Sequence, residues 1–194
     1  MERLSNIGSA RELYRKADDD ELVRASLSGD KLAFSEIVNR YRKMVARLVK
    51  GMLEDSVYAE DIGQEVFVKL YNALPGFRGE AKLSTYIQKI AVNLTLNEIK
   101  RRKRFFSTFA RTGDDEMYEY EFVDSSNEEK REAKELVDKA LKSLDPKFRV
   151  VVVMRMLQGY STKETAEILD LPIGTVLSRL SRAQKQLKDI LEKL

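Results

Sequence analysis

The segment Gly159–Gln184, which reads GYSTKETAEILDLPIGTVLSRLSRAQ, decides the fold of this chain. Ser161 can cap a first helix, and Glu164, three residues on, completes a capping box. Asp170 falls at a turn, where a residue can need left-handed backbone angles that Asp tolerates better than most non-glycine residues. Pro172 suits the opening of a second helix, because no backbone N–H is needed there. The segment therefore predicts a helix-turn-helix.

The second helix of this segment has one apolar face and one polar face. Apolar residues recur every three or four positions and predict a buried stripe: Val176, Leu180, Ala183, Leu187 and Ile190. On the other side lie side chains of the types that contact phosphates and base edges in a DNA major groove: Thr175, Ser178, Arg179, Arg182 and Lys185. A basic amphipathic helix taken alone fits a solvated surface equally well. The capping box and the turn before it favour DNA binding.

Composition excludes several functional classes. The 194 residues are 43% hydrophobic and 35% charged, which favours a mostly helical protein of one or two domains. Because the chain has no Cys and no His, it has no disulfide, no thiolate or histidine metal site and no histidine-based catalysis. We predict no catalytic, metal or cofactor site. No apolar run reaches membrane-spanning length and no signal peptide opens the chain, so we expect no membrane insertion and a cytoplasmic location.

The charge of the chain divides it into segments. Residues 113–130 carry eight acids and one Lys, whereas the flanking segments 1–112 and 131–194 are net basic. Basic segments favour a polyanionic partner, and the acidic segment, which lacks helical periodicity, predicts a flexible linker. We therefore predict an all-α chain of two small helical domains joined by a flexible acidic linker. The predicted boundaries are an N-terminal tail at 1–18, a first domain at 19–104, the linker at 105–130 and a second domain at 131–194.

The first domain carries a polar face on a helix predicted over residues 57–74. Asp61, Gln64, Glu65 and Val68 share this face, and Phe67 lies beside it. Such a patch is either a protein-binding surface or ordinary solvated polarity, and the spacing alone favours the second interpretation.

A second surface of the first domain has the residue types that bind single-stranded nucleic acid. Phe77 lies in a loop, Asn93 and Asn97 are one turn apart on the next helix, and the basic run 100–104 ends that helix. Aromatic stacking together with backbone charge suits single strands. The basic run also fits a helix C-terminus that attracts cations through its dipole.

An apolar run at residues 148–157, rich in β-branched side chains, is locally ambiguous. Its composition fits a strand. Its length and its position between two helical patterns favour a buried helix.

Taken together, the motifs resemble the RNA polymerase sigma-70 family, in particular its compact extracytoplasmic-function (ECF) sigma factors. Ala59–Leu74, AEDIGQEVFVKLYNAL, is similar to region 2.2 of that family. Phe77–Arg102 is similar to regions 2.3 and 2.4, and Leu141–Leu187 to region 4. The similarity covers roughly Asp20–Leu194 and keeps the family's order of motifs.

The resemblance implies that the chain directs promoter-specific initiation by bacterial core RNA polymerase, contacting the β′ clamp helices and the β flap. The residues implied in polymerase binding are Asp61, Gln64, Glu65 and Phe67. The residues implied in recognising and melting the −10 element are Ala73, Phe77, Ile90, Asn93, Asn97, Lys100 and Arg101. Those implied in reading the −35 element are Thr175, Ser178, Arg179, Ser181, Arg182 and Lys185. An anti-sigma factor that holds the chain inactive until a stress signal is also expected by resemblance.

The chain departs from the family pattern at four positions. Tyr86 and Gln88 stand where Trp and another aromatic residue are common, which weakens the expected stacking on the −10 element. Leu177 replaces a common Arg of the recognition helix, so one phosphate or base contact is expected to be lost and the −35 preference to differ. Asp170 stands where Gly is frequent, which the turn tolerates.

Two other functions fit parts of the sequence. A free-standing helix-turn-helix regulator accounts for the residues after 131 but leaves the motifs at 59–104 unused. A carboxylate-metal nuclease would use the acidic clusters, but these clusters resemble helix caps.

Overall fold

The computed structural model describes residues 11–53, 56–109 and 128–192, and within these ranges the fold is all-α. The first group of helices is α1 (Asp19–Leu27), α2 (Lys31–Met52), α3 (Ser56–Ala73) and α4 (Leu83–Phe109), with a 3₁₀ turn at Leu74–Gly76. The second group is α5 (Glu128–Lys142), α6 (Pro146–Val152), α7 (Thr162–Leu169) and α8 (Ile173–Leu191), and a π-helical turn at Val153–Leu157 continues α6.

Helices α1 to α4 enclose the core of the first domain. Asp18 caps α1 in a capping box with Glu21, whose backbone N–H donates to the Asp18 carboxylate at 2.8 Å. Asp30 caps α2, where its carboxylate accepts the backbone N–H groups of Leu32 and Ala33. The largest fully buried side chains come from all four helices and include Leu22, Ile37, Leu48, Leu70 and Ile87. The acidic residues Asp18 to Asp20 therefore serve as a helix start, as the sequence predicts, with Asp18 as the cap and the other two in the first turn.

The structure corrects the predicted tail at residues 11–18. Residues 11–16 are helical, and the Tyr14 hydroxyl donates to the Asp30 carboxylate at 2.7 Å. This hydrogen bond lowers the pKa of Asp30 and raises that of Tyr14. One side-chain contact across 16 residues leaves no periodic signal in the sequence, so the tail appeared unstructured. Residues 1–10 lie outside the described residues.

Helix extends into both ends of the segment predicted as a linker. Helix α4 continues to Phe109, and α5 begins at Glu128. The basic residues of late α4 and the acids that open α5 both complement the helix dipole, which favours these extensions. The remainder of the predicted linker, residues 110–127, lies outside the described residues.

Helices α5 to α8 form the second domain. The apolar run that could have been a strand is helical, and Val150–Met154 is buried throughout. Burial on all sides explains why residues 148–154 show no amphipathic period, whereas Met156 and Leu157 at the end of the run are exposed. A separate small core joins α5, α6 and α8 through Leu141, Leu144, Phe148, Val152 and Ala183.

The second domain packs against α2 and α4 of the first. Gly51 permits this approach, since a Cβ atom there would lie 3.1 Å from a methyl carbon of Val153. The buried Arg149 side chain crosses from α6 and donates to the Met52 carbonyl at 2.7 Å. The Tyr160 hydroxyl donates to the sulfur of Met44 at 3.3 Å. One hydrophobic core therefore spans both domains.

Candidate nucleic-acid and polymerase interfaces

The helix-turn-helix has the predicted local geometry. The Glu164 backbone N–H donates to the Ser161 hydroxyl at 3.1 Å, and the Ser161 N–H donates to the Glu164 carboxylate at 2.8 Å. The hydrogen bond from the Ser161 N–H, supported by the Ser161 hydroxyl, holds the pKa of the Glu164 carboxyl below its usual range. Asp170 adopts left-handed angles (φ 52°, ψ 52°) at the end of α7. The capping box and the left-handed turn are both confirmed.

Helix α8 turns its apolar stripe inward and presents most of its polar residues to solvent. Val176 and Ala183 have no exposed surface, which fixes the inner side of the helix. Of the residues implied in −35 reading, Thr175 and Arg179 are half-buried, and those that are exposed are Ser178, Ser181, Arg182 and Lys185. Pro172 is the N-cap residue, and its carbonyl accepts the N–H groups of Thr175 and Val176.

The predicted polymerase-binding residues share the outer side of α3. Asp61, Gln64 and Glu65 are exposed, and Phe67 is half-buried against the core. The surface extends further than the sequence indicated, because Tyr71 is 52% exposed and its ring meets that of Phe34 edge-on at 4.9 Å. In the sequence, Tyr71 follows Val68 by three residues, a helical spacing that indicates the same face of α3.

The residues implied in −10 recognition come from the end of α3, the loop after the 3₁₀ turn and α4. The Phe77 and Tyr86 rings lie 5.1 Å apart, and the Tyr86 hydroxyl donates to the Ala73 carbonyl at 3.3 Å. Asn93 and Asn97 are exposed on α4, one turn apart. Ile90 is half-buried, and Lys100 is exposed. The structure therefore presents an aromatic pair and an amide pair on one domain.

The basic end of α4 is partly neutralised by an acid that the sequence analysis missed. Glu98 is buried, and its carboxylate accepts hydrogen bonds from Arg101 at 2.7 Å and from Arg102 at 3.0 Å. The bond from Arg101 lowers the pKa of Glu98 most. The Arg102 guanidinium also stacks 3.6 Å from the centre of the Tyr58 ring. In the sequence, the separation of three and four residues between Glu98 and the two arginines indicates these ion pairs.

Gln88, one of the departures from the family pattern, is buried in the contact between the domains. Its side-chain amide donates to Gln158 and to the Tyr160 hydroxyl, and none of its surface is exposed. In this arrangement Gln88 is therefore unavailable to a base.

Two further properties concern the described part of the chain as a whole. Residues 11–53, 56–109 and 128–192 place no three acidic side chains where they could hold a metal ion. No helix in these ranges combines the length and the apolar character needed to cross a membrane.

Comparison with known families matches both domains. Residues 37–105 match the profile described as Sigma-70 region 2. Residues 134–187 match the profile described as Sigma-70, region 4.

Curated proteins of similar length match almost the whole chain. The RNA polymerase sigma-H factor of Pseudomonas aeruginosa is 30% identical over 94% of this chain and 98% of its own length. The ECF RNA polymerase sigma factor SigW of Bacillus subtilis is 32% identical, over 87% of this chain and 96% of its own. The ECF RNA polymerase sigma-E factor of Escherichia coli K12 is 33% identical, over 91% of this chain and 95% of its own.

Solved structures share the fold. CnrH in complex with the cytosolic domain of CnrY superposes with a TM-score of 0.66 at 23% identity, covering 90% of this chain and 97% of the other. The sigma factor RpoE of Bartonella quintana, in complex with the anti-sigma factor NepR, has a TM-score of 0.66 at 20% identity, covering 82% and 96%.

Proposed function

Because this chain is a sigma factor of the sigma-70 family, in its extracytoplasmic-function group, we propose that it binds bacterial core RNA polymerase and directs it to promoters with particular −10 and −35 elements. It contributes binding and strand separation, while the polymerase supplies the bond chemistry. It acts where the polymerase acts, in the cytoplasm.

Polymerase binding falls to the outer side of α3. Asp61, Gln64 and Glu65 offer two carboxylates and an amide within about one turn, suited to basic and polar groups on the β′ clamp helices. The exposed ring of Tyr71 and the half-buried Phe67 add the apolar contact that such an interface needs. A second contact, with the β flap, involves the domain at 131–194.

Recognition of the −10 element falls to the domain at 19–104. The aromatic pair of Phe77 and Tyr86 can stack on an unpaired base, and Asn93 and Asn97 offer donors and acceptors to base edges. Capture of a flipped base offsets an unstacking cost of a few kcal/mol. Ala73 and Ile90 line the pocket for that base. Lys100 and Arg101 hold the adjacent phosphates, with the charge of Arg101 reduced by Glu98.

Recognition of the −35 element falls to α8 in the domain at 131–194. The capped turn before α8 fixes the angle at which its first turns enter a major groove. Ser178 and Ser181 lie in those turns, whereas Arg182 and Lys185 follow and can bind phosphates. Thr175 and Arg179 border the same surface.

Regulation by an anti-sigma factor is part of the proposal. One structural relative was solved with a protein named as an anti-sigma factor. For this chain, such a partner would cover the α3 surface and the DNA-reading residues.

One observation carries the proposal: a helix-turn-helix and a separate exposed polar face on α3 occur in one chain. A free-standing regulator needs only the former. The experiment is transcription from a randomised promoter library by purified core polymerase with this chain added. We expect transcripts that start only when the chain is present and that share two promoter elements.

A pair of variants tests whether the α3 surface binds core polymerase, as a sigma factor requires and a free-standing regulator does not. Replacing Gln64 and Glu65 by Ala should abolish core binding, whereas replacing the exposed acid Glu12 by Gln should leave core binding unchanged. No core binding by the unaltered chain, together with duplex binding on its own, would establish the free-standing regulator instead.

A further inference from the structure

The exposed side of α8 changes character along the helix. In its first turns it carries two large apolar residues, Ile173 and Leu177, which are 49% and 52% exposed. Between and after them are small residues, which are also exposed: Gly174, Ser178 and Ser181. The exposed cations of α8 all come later, at Arg182, Lys185 and Lys188.

The register of the helix places the apolar pair at one edge of the surface proposed to face DNA. Val176 is fully buried, and Leu177 lies about 100° further around the helix. Ile173, Leu177 and Ser181 are four residues apart, so their side chains form one row along the helix. Ser181 is among the residues already proposed to read the −35 element. The same row therefore begins with two apolar side chains.

The chemistry of this row limits which base it can select. Arg and Lys recognise guanine through its O6 and N7 acceptors, and neither occurs among the first three residues of the row; the next residue at this spacing, Lys185, lies two turns after Leu177. An aliphatic side chain in the major groove instead contacts the methyl group of thymine. The small exposed Gly174 has no neighbour within 4 Å of a Cβ position, which lets the backbone approach the bases closely.

We propose that Leu177, with Ile173 one turn before it, selects a thymine in the −35 element by packing against the thymine methyl group. Leu177 is then a specificity-determining residue at the position where the family commonly has Arg. This inference rests on the proposed function, because it requires that α8 read duplex DNA in a promoter complex.

The test uses deoxyuridine, which differs from thymidine only in the missing methyl group. Holoenzyme reconstituted from core polymerase and the full chain is bound to promoter duplexes whose −35 thymines are replaced one at a time. We expect one replacement to weaken binding about three- to fivefold, the effect of burying one methyl group. Leu177→Ala should weaken binding to the thymine duplex by a similar factor and should no longer distinguish thymine from uracil at that position.

A matched control lies on the same helix. Leu191 is 41% exposed at the far end of α8, and Leu191→Ala should keep the preference for thymine. Leu177→Arg should shift the preferred base toward guanine. Far-UV circular dichroism of each variant checks that the helices are retained.

Three results would overturn the proposal. The holoenzyme could bind every uracil duplex as tightly as its thymine counterpart while still requiring the −35 element. Leu177→Ala could weaken both duplexes equally. Leu177→Ala could instead impair assembly with core polymerase, which would assign the apolar pair to a protein contact. Failure of the proposed function gives a different result, namely no promoter-specific holoenzyme with the unaltered chain.

Discussion

Replacement of Arg149 by Met should destabilise the whole chain, because this one side chain joins both domains. Arg149 is only 6% exposed. Its guanidinium donates to the Met52 carbonyl at 2.7 Å, to the Leu144 carbonyl at 3.1 Å and to the Lys142 carbonyl. Met fills a similar volume but donates no hydrogen bond.

The expected magnitude follows from what these carbonyls are. Met52 and Lys142 end α2 and α5, so their carbonyls have no donor within their own helices and carry the negative end of the helix dipole. A hydrogen bond from a charged donor contributes about 1.5–3 kcal/mol, and a buried acceptor left unpaired costs about 1–3 kcal/mol. Because partial access to water reduces each contribution, we expect the variant to lose roughly 3–5 kcal/mol, as when one member of a buried ion pair is removed.

Urea denaturation followed by far-UV circular dichroism measures this loss. With a slope of about 2–3 kcal/mol per molar urea, the midpoint should fall by about 1.5 M. The urea midpoint of Arg149→Lys should lie between those of the unaltered chain and Arg149→Met, because Lys keeps the charge but not the forked donors. Arg182→Met, at an exposed position on α8, is the control and should stay within about 0.5 kcal/mol of the unaltered chain. An Arg149→Met midpoint equal to that of the control would refute the reasoning, because it would mean that water satisfies the carbonyls.

Three further predictions concern the contact between the domains, a helix cap and a buried acid. Gly51→Leu should lose about 1–3 kcal/mol by overpacking against the second domain, whereas Gly63→Ala, with no neighbour within 4 Å, should gain up to about 1 kcal/mol in the same urea titration. Ser161→Ala should cost about 1 kcal/mol of stability by removing the cap of α7, measured as a shift of the thermal midpoint. Glu98→Gln should flatten the pH dependence of stability, because an acid with a lowered folded pKa stabilises above its unfolded pKa, about 4.3, and that contribution disappears as the pH falls through the folded value. The same substitution should steepen the salt dependence of DNA binding by freeing Arg101; an unchanged slope would show that Arg101 already binds phosphate with its full charge.

The sequence was most informative where structure depends on neighbours along the chain. The capping box of Ser161 and Glu164 needs only three residues of separation, and the left-handed Asp170 needs only its own tolerance of that backbone. The buried stripe of α8 follows from helical period. These local rules suffice for a helix-turn-helix, so this part of the fold was predictable.

The contacts that the sequence did not reveal join residues far apart. Arg149 and Met52 are 97 residues apart, and Gln88 and Tyr160 are 72 apart. In the sequence, nothing distinguishes Arg149 on its apolar helix or Gln88 on its amphipathic helix from other polar residues. Only the packed domains show which groups they bind. Glu98 was missed for another reason: the five cations after it dominated the interpretation of that helix, although its spacing to Arg101 was readable.

The contact between the domains is polar where α4, which carries the proposed −10 residues, meets the segment before α7. Gln88 of α4 donates to Gln158 and to Tyr160, and Tyr160 in turn donates to Met44. Hydrogen bonds between neutral groups contribute a net of only about 0.5–1.5 kcal/mol each, because water replaces them when they break. This part of the contact is therefore inexpensive to open.

Opening is required if the chain is to read both promoter elements at once. Elements centred near −10 and −35 lie about 25 base pairs apart, which is about 85 Å along the duplex. In the structure α4 touches α7, and packed helices lie about 8–10 Å apart. From that contact, the proposed −10 residues of α4 and the proposed −35 residues of α8 lie within roughly 40 Å of one another. The docked arrangement can thus reach one element but not both.

Specific promoter contacts, typically about 4–10 kcal/mol stronger than non-specific ones, exceed the cost of breaking the Gln88 contacts several-fold. The polar contacts of Gln88 therefore oppose separation of the domains only weakly, and most of its cost lies in the Arg149 hydrogen bond to Met52 and in the apolar core that the two domains share.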